Sequence, residues 1–91
     1  MDFVYLDGSG AEYLLEKGVV GVGTDALGIE RAQPEHETHV NLLSGRVIII
    51  EGLRLAHVEP GTYLMAAAPL KLVGVEAAPA RVFLLDKQDG V

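Results

Sequence analysis

The spacing of hydrophobic residues predicts a helix near the start of the chain. Apolar and polar positions follow a helical period over residues 10–17, which indicates a short amphipathic helix. Its apolar stripe consists of Ala11, Leu14 and Leu15. Ser9 and Glu12 have the spacing of a capping box, in which a hydroxyl and a carboxylate satisfy free backbone N–H groups. Gly18 is then expected to end the helix.

A second helix is predicted to begin near Pro34 and to end before Gly45, because proline suits the first turn of a helix. Residues spaced at i, i+3, i+4 and i+7 lie on one face of a helix. On this helix that face carries His36, His39, Val40 and Leu43. The face therefore combines two imidazoles with two aliphatic side chains.

The remaining apolar segments predict strands at residues 19–22, 46–51, 62–73 and 81–85. The second of these contains four consecutive β-branched residues without alternation, which is typical of a strand covered on both faces. Pro69 interrupts the third, so we expect a bend or a sheet edge there. The pattern predicts an α/β fold, a small mixed sheet with two short helices.

Composition limits the class of protein. Ninety-one residues suffice for one small core, so we expect a single domain over residues 1–91. The hydrophobic fraction of 49% indicates a folded chain. A net charge of -6 with scattered basic residues argues against nucleic acid as a partner. No cysteine, signal-like segment or apolar run of about 18 residues is present, so we expect a soluble, cytoplasmic protein without a membrane partner.

An imidazole and a carboxylate are the main candidates for chemistry. His39 lies on the second predicted helix, and Glu51 ends the strand that follows it. Borderline divalent metals such as zinc and manganese accept both ligand types. The spacing alone leaves open that His39 is a hydrogen-bonded core or interface residue and that Glu51 is solvated. The sequence shows neither a triad nor a phosphate-binding loop, so it predicts no catalytic residue and no nucleotide site.

Several short motifs also occur in a recognisable order. They are Ala11-Glu12-Tyr13-Leu14, Lys17-Gly18-Val19, Val22-Gly23-Thr24-Asp25, His39 with Leu42-Leu43, Ile50-Glu51-Gly52-Leu53, Pro69-Leu70-Lys71-Leu72 and Ala78-Pro79-Ala80-Arg81. In order and spacing they resemble the C-terminal half of the cyclase family, which includes the bacterial kynurenine formamidases (arylformamidases). The resemblance implies the corresponding half of a swivelling β/β/α fold.

The resemblance also implies a metal-dependent hydrolase that cleaves a C–N amide bond in a small molecule. His39 and Glu51 match two of the family's metal ligands, whereas the resemblance assigns no role to His36, and His57 is expected at the surface. Such an ion lowers the pKa of bound water and polarises a carbonyl. The family's His-x-Gly-Thr-His-x-Asp stretch belongs to its N-terminal half and has no counterpart in this sequence. Catalytic zinc normally takes three protein ligands, and this chain offers two.

Three functions are compatible with these features. The chain is part of a hydrolase completed by a complementary subunit, or it is a non-catalytic homo-oligomeric binding or structural remnant of the fold. Alternatively, a two-fold axis combines two copies of His39 and Glu51 into one metal site. In each case we expect association with another copy or another subunit, because the run of isoleucines needs cover.

Overall fold

The computed structural model describes residues 4–86, and the chain divides into two compact units, Met1–His57 and Val58–Val91. The first unit contains α1 (Gly8–Glu16), β1 (Gly21–Gly23), α2 (Glu37–Ser44) and β2 (Ile48–Ile50), and the second contains β3 (Tyr63–Pro69) and β4 (Ala80–Asp86). The predicted α/β class with two short helices is confirmed, whereas the single domain stays a prediction. No helix within residues 4–86 combines the length and the apolar character needed to cross a membrane.

Helix α1 begins two residues earlier than predicted because Asp7 caps it. The Asp7 carboxylate accepts a hydrogen bond of 2.8 Å from the backbone N–H of Gly10, and Asp7 has the extended backbone typical of an N-cap. The Ser9 hydroxyl donates to the same carboxylate at 2.8 Å. The capping box predicted on Ser9 is therefore wrong, since the aspartate two residues earlier supplies the acceptor.

The core of the first unit lies where the two helices meet the loop before α2. Its fully buried apolar side chains are Ala11, Ile29, Leu42 and Val47. Thr38 is also completely buried, and its hydroxyl donates to the carbonyl of Leu6. Since Thr38 and Leu42 lie one turn apart, they define the face of α2 that packs inward.

The face of α2 that carries Val40 and Leu43 does not pack inward. Val40 is 54% exposed and Leu43 is 60% exposed, so the aliphatic side chains of that face do not contribute to the core. The helix also begins at Glu37, which leaves His36 outside it in the left-handed conformation. The helical period was correct, but the sequence did not show that a threonine would be buried by bonding to a distant carbonyl.

Strands β1 and β2 form a parallel pair in which Gly21 lies opposite Ile48 and Gly23 lies opposite Ile50. Ile48 is 64% exposed, so the prediction that this strand is covered on both faces is wrong for the described residues. The reason is that, among the described elements, only β1 and α2 pack against β2.

The second unit is an antiparallel hairpin. Its register runs from Tyr63 opposite Asp86 to Pro69 opposite Ala80. The strand predicted over residues 62–73 thus ends at Pro69, as expected for a residue that has no N–H to donate. Most side chains on both strands are exposed.

Candidate metal centre

The candidate site lies at the carboxyl end of the parallel strand pair. Glu51 directly follows β2, and the backbone N–H of Thr24, just after β1, donates to the carbonyl of Ile50 at 2.9 Å. Ligand sites in open α/β sheets are commonly found at this end of the strands. The chain then turns at Gly52, whose N–H donates to the carbonyl of Ala26 at 2.8 Å. These bonds fix the backbone that carries Glu51.

The backbone conformation at position 52 favours glycine, and the cost of replacing Gly52 can be measured as a change in unfolding free energy. Its φ is +71°, and no atom lies within 4 Å of the position that a Cβ would occupy. A Gly52→Ala substitution is therefore expected to cost about 1–2 kcal/mol of unfolding free energy through backbone strain alone. Gly52→Asn is the matched control, because asparagine adopts this conformation more readily. Urea unfolding that shows equal losses for both variants would contradict this assignment.

The structure brings the two predicted ligands together. His39, on the first turn of α2, points its Nε2 toward Oε2 of Glu51 at 3.6 Å, and the two side chains are 37% and 35% exposed. This separation is too long for a hydrogen bond. Two ligand atoms bound to one tetrahedral zinc ion are about 3.4 Å apart. The pair therefore has the spacing and the donor types of two ligands of one metal ion.

The carboxylate of Glu51 is tied to the core through Ile29. Its Oε2 accepts a hydrogen bond of 2.8 Å from the backbone N–H of Ile29. The Ile29 side chain is 3% exposed, and its carbonyl accepts from the N–H of Leu6 at 2.9 Å. The bond from Leu6 and the burial of its side chain fix the position of Ile29. Its N–H therefore restricts the position of the Glu51 carboxylate.

Glu30 is a site residue that sequence reasoning missed. Its side chain is 4% exposed, and its Oε1 is bonded to Nδ1 of His39. The same oxygen accepts from the backbone N–H of His39 at 3.0 Å. The other oxygen accepts from the backbone N–H of Thr38 at 3.3 Å and from the side-chain amide of Gln33. We call these four residues the Glu30 network.

The Glu30 network also caps the N-terminus of helix α2. His36 is the N-cap, but its ring makes no capping hydrogen bond. The N–H groups of Thr38 and His39 would otherwise lack partners in the first turn, and the Glu30 carboxylate accepts from both. Glu30 thus caps α2 from the preceding loop. No local spacing announces this role, since the contact joins a loop residue to one nine positions later.

The hydrogen bonds keep Glu30 ionised. Burial raises the pKa of this carboxyl, but the bonds from His39, Gln33 and Thr38 outweigh burial and lower its pKa to about 2. At neutral pH the group is therefore a carboxylate that only accepts hydrogen bonds.

The other histidines lie apart from this pair. His36 precedes α2 and His57 lies in an irregular segment, and both are exposed. Among residues 4–86, no group of three or more His, Cys, Asp or Glu side chains is arranged to hold a metal ion. Within residues 4–86, His39 and Glu51 are thus two side chains of ligand type that do not make a complete metal site.

Sequence matches to other proteins extend over most of this chain. It is 42% identical over 77 residues to a kynurenine formamidase from Salinibacter ruber, and 41% identical over 78 residues to cyclase-like protein 1 from Arabidopsis thaliana. Each match covers 84% of this chain. No protein-family model matches the sequence.

Solved structures agree with these matches. A potential metal-dependent hydrolase with cyclase activity superimposes with a TM-score of 0.90 at 59% identity, over 94% of this chain. The chain is similar to part of a cyclase-family protein. A predicted metal-dependent hydrolase from Bacillus stearothermophilus superimposes with a TM-score of 0.88 at 60% identity, over 92% of this chain.

The chain corresponds to only part of these cyclase-family proteins. It spans 36% of the Salinibacter ruber protein and 31% of the Arabidopsis thaliana protein. It spans 43% and 41% of the two solved structures. The predicted partial cyclase fold is thereby confirmed.

Proposed function

We propose that this chain carries part of the metal centre of a kynurenine formamidase-like hydrolase, with His39 and Glu51 as ligands of a zinc or manganese ion. The observation that carries the proposal is the 3.6 Å separation between His39 Nε2 and Glu51 Oε2. Hydrogen bonds already hold both groups: the imidazole through its other nitrogen, Nδ1, and the carboxylate through Oε2 itself, which accepts from the N–H of Ile29. The two facing atoms are thus oriented toward a shared ligand.

The family relationship supports the reaction class. The relatives include a kynurenine formamidase and proteins described as metal-dependent hydrolases, so we propose that the complete protein hydrolyses a C–N amide bond in a small molecule. The metal ion would activate water and polarise the carbonyl of that amide. In this chemistry His39 and Glu51 bind and orient, and we assign no proton transfer to a residue of this chain.

The two proposed ligands are too few for a catalytic metal site. A catalytic zinc ion normally has three protein ligands, so we propose that further ligands come from a complementary polypeptide or from a second copy of this chain. The exposed face of β2, which carries Ile48, is consistent with such an association. We propose a cytoplasmic location on the absence of cysteine.

Metal content and native mass, measured together, test the proposal. The purified chain is equilibrated with zinc or manganese, passed through a sizing column with light scattering and analysed for metal. Metal that co-elutes with the chain supports the proposal, and one ion per two chains in a dimer would locate the site between copies. A folded oligomer that retains neither metal would overturn ligation by copies of this chain alone, so that the chain by itself is non-catalytic and the further ligands would have to come from a complementary polypeptide.

A further inference from the structure

We propose that Glu30 is a positioning residue, which fixes the tautomer of His39 and directs its Nε2 toward Glu51. The consequence for metal affinity rests on the proposed function, whereas the tautomer is a property of the metal-free chain. The inference stands on the burial of Glu30 and on its contacts with the ring and the backbone of His39.

The tautomer follows from the hydrogen-bonding capacity of a carboxylate. Both oxygens of Glu30 already accept hydrogen bonds from backbone N–H groups, so the carboxylate acts as the acceptor and the bond to His39 places the ring proton on Nδ1. A neutral imidazole then has its free lone pair on Nε2. That nitrogen lies 3.6 Å from Glu51 and is the atom that must be unprotonated to bind a metal ion.

The orientation of the ring follows from the way Glu30 is held. A single oxygen, Oε1, accepts from both the backbone N–H and the ring Nδ1 of His39. The second oxygen is fixed by Thr38 and Gln33, which restricts rotation of the carboxylate. The rotamer of the imidazole is therefore coupled to the start of α2.

Two consecutive residues thus hold the two sides of the site. The backbone N–H of Ile29 holds the Glu51 carboxylate, and the side chain of Glu30 holds the His39 imidazole. Histidines that bind metals usually donate their other ring N–H to an acceptor of this kind, which sets the tautomer and raises the basicity of the ligand. Residues 29 and 30 would set the distance between both ligand atoms before a metal ion arrives.

The test compares Glu30→Ala with Gln33→Ala. Glu30→Ala removes the acceptor of the ring proton. Gln33→Ala is the matched control, because the hydrogen bonds of the Gln33 amide join it to the same carboxylate, to the Thr38 hydroxyl and to the N–H of Gly8, and not to the imidazole. A purely structural role of Glu30 predicts that both variants lose stability and that neither changes the ring tautomer.

The decisive readout is the imidazole nitrogen spectrum of the metal-free protein at a pH where histidine is neutral. Long-range ¹H–¹⁵N correlations should show His39 as the Nδ1–H tautomer in the unmodified chain and in Gln33→Ala. Glu30→Ala should shift it toward the Nε2–H form that dominates in free histidine. The exposed His36 and His57 are internal references. An Nε2–H tautomer of His39 in the unmodified chain would overturn the inference, even if Glu30→Ala did not fold.

Zinc affinity separates this inference from the proposed function. Glu30→Ala is expected to weaken zinc binding about 10- to 100-fold, the range for groups that orient a metal ligand, and Gln33→Ala, which leaves both contacts of Oε1 with His39 in place, should weaken it less than Glu30→Ala does. Equal zinc affinity in Glu30→Ala and the unmodified chain would overturn the positioning role and leave the proposed function intact. A tautomer that reverses in a chain that binds no zinc would support the positioning role and overturn zinc ligation by copies of this chain alone.

Discussion

His39→Ala and Glu51→Ala are each expected to abolish binding of zinc or manganese while leaving the fold intact. Each substitution removes one of two facing ligand atoms, so the loss of affinity should exceed about 100-fold, the upper range for groups that only orient a ligand. Both side chains are more than one third exposed and lie outside the buried cluster of the first unit. The loss of one hydrogen bond in each variant should cost about 1 kcal/mol of unfolding free energy. Isothermal titration with each metal and circular dichroism measure the two effects.

Two control variants make this result specific. His57→Ala removes an exposed imidazole outside the site and should leave metal affinity unchanged. Glu51→Gln retains an oxygen that can accept from the N–H of Ile29 but loses the charge, so it should bind metal weakly and unfold like the unmodified chain. Unchanged metal content in both His39→Ala and Glu51→Ala would contradict the assignment of the ligands.

The sequence predicted one half of this site and could not predict the other. His39 and Glu51 match family motifs, and each occupies a regular position, on a helix and after a strand. Glu30 lies in an irregular loop, and its role depends on bonds to backbone N–H groups at the start of α2. Any acidic residue of the loop could have filled that role as far as spacing shows. Only the folded path of the loop distinguishes Glu30 from its neighbours.

The fold shows the same distinction between local and distant causes. Helical period predicted both helices, and proline chemistry predicted an interruption at Pro69, where β3 ends, because these depend on neighbouring residues. The exposure of Ile48 depends on which elements pack against β2, and the β-branched run carries no information about that. In the same way, Ser9 and Glu12 have the correct spacing for a capping box, but the Asp7 carboxylate accepts the hydrogen bond that caps α1 and also accepts from the Ser9 hydroxyl.

The inward face of α2 leads to the largest stability effect that we expect. Leu42 is completely buried among Ala11, Ile29 and Val47, and the N–H of Val47 donates to the Leu42 carbonyl at 2.9 Å. Leu42→Ala should therefore leave a cavity between the two helices and cost about 2–5 kcal/mol of unfolding free energy. Stabilities of whole domains are about 5–15 kcal/mol, so this loss would remove a large part of the total.

The neighbouring residue is the matched control and decides which face of α2 is buried. Leu43 lies on the same helix and can be changed from leucine to alanine in the same way, but its side chain is 60% exposed. Leu43→Ala should change the unfolding free energy by less than about 0.5 kcal/mol. Urea unfolding of the two variants measures the difference directly. Equal losses would show that the face of Leu43 is covered in solution, as an association with a second copy or a complementary polypeptide would require. A loss confined to Leu42→Ala would show that Thr38 and Leu42 set the orientation of α2, and with it the direction in which His39 points.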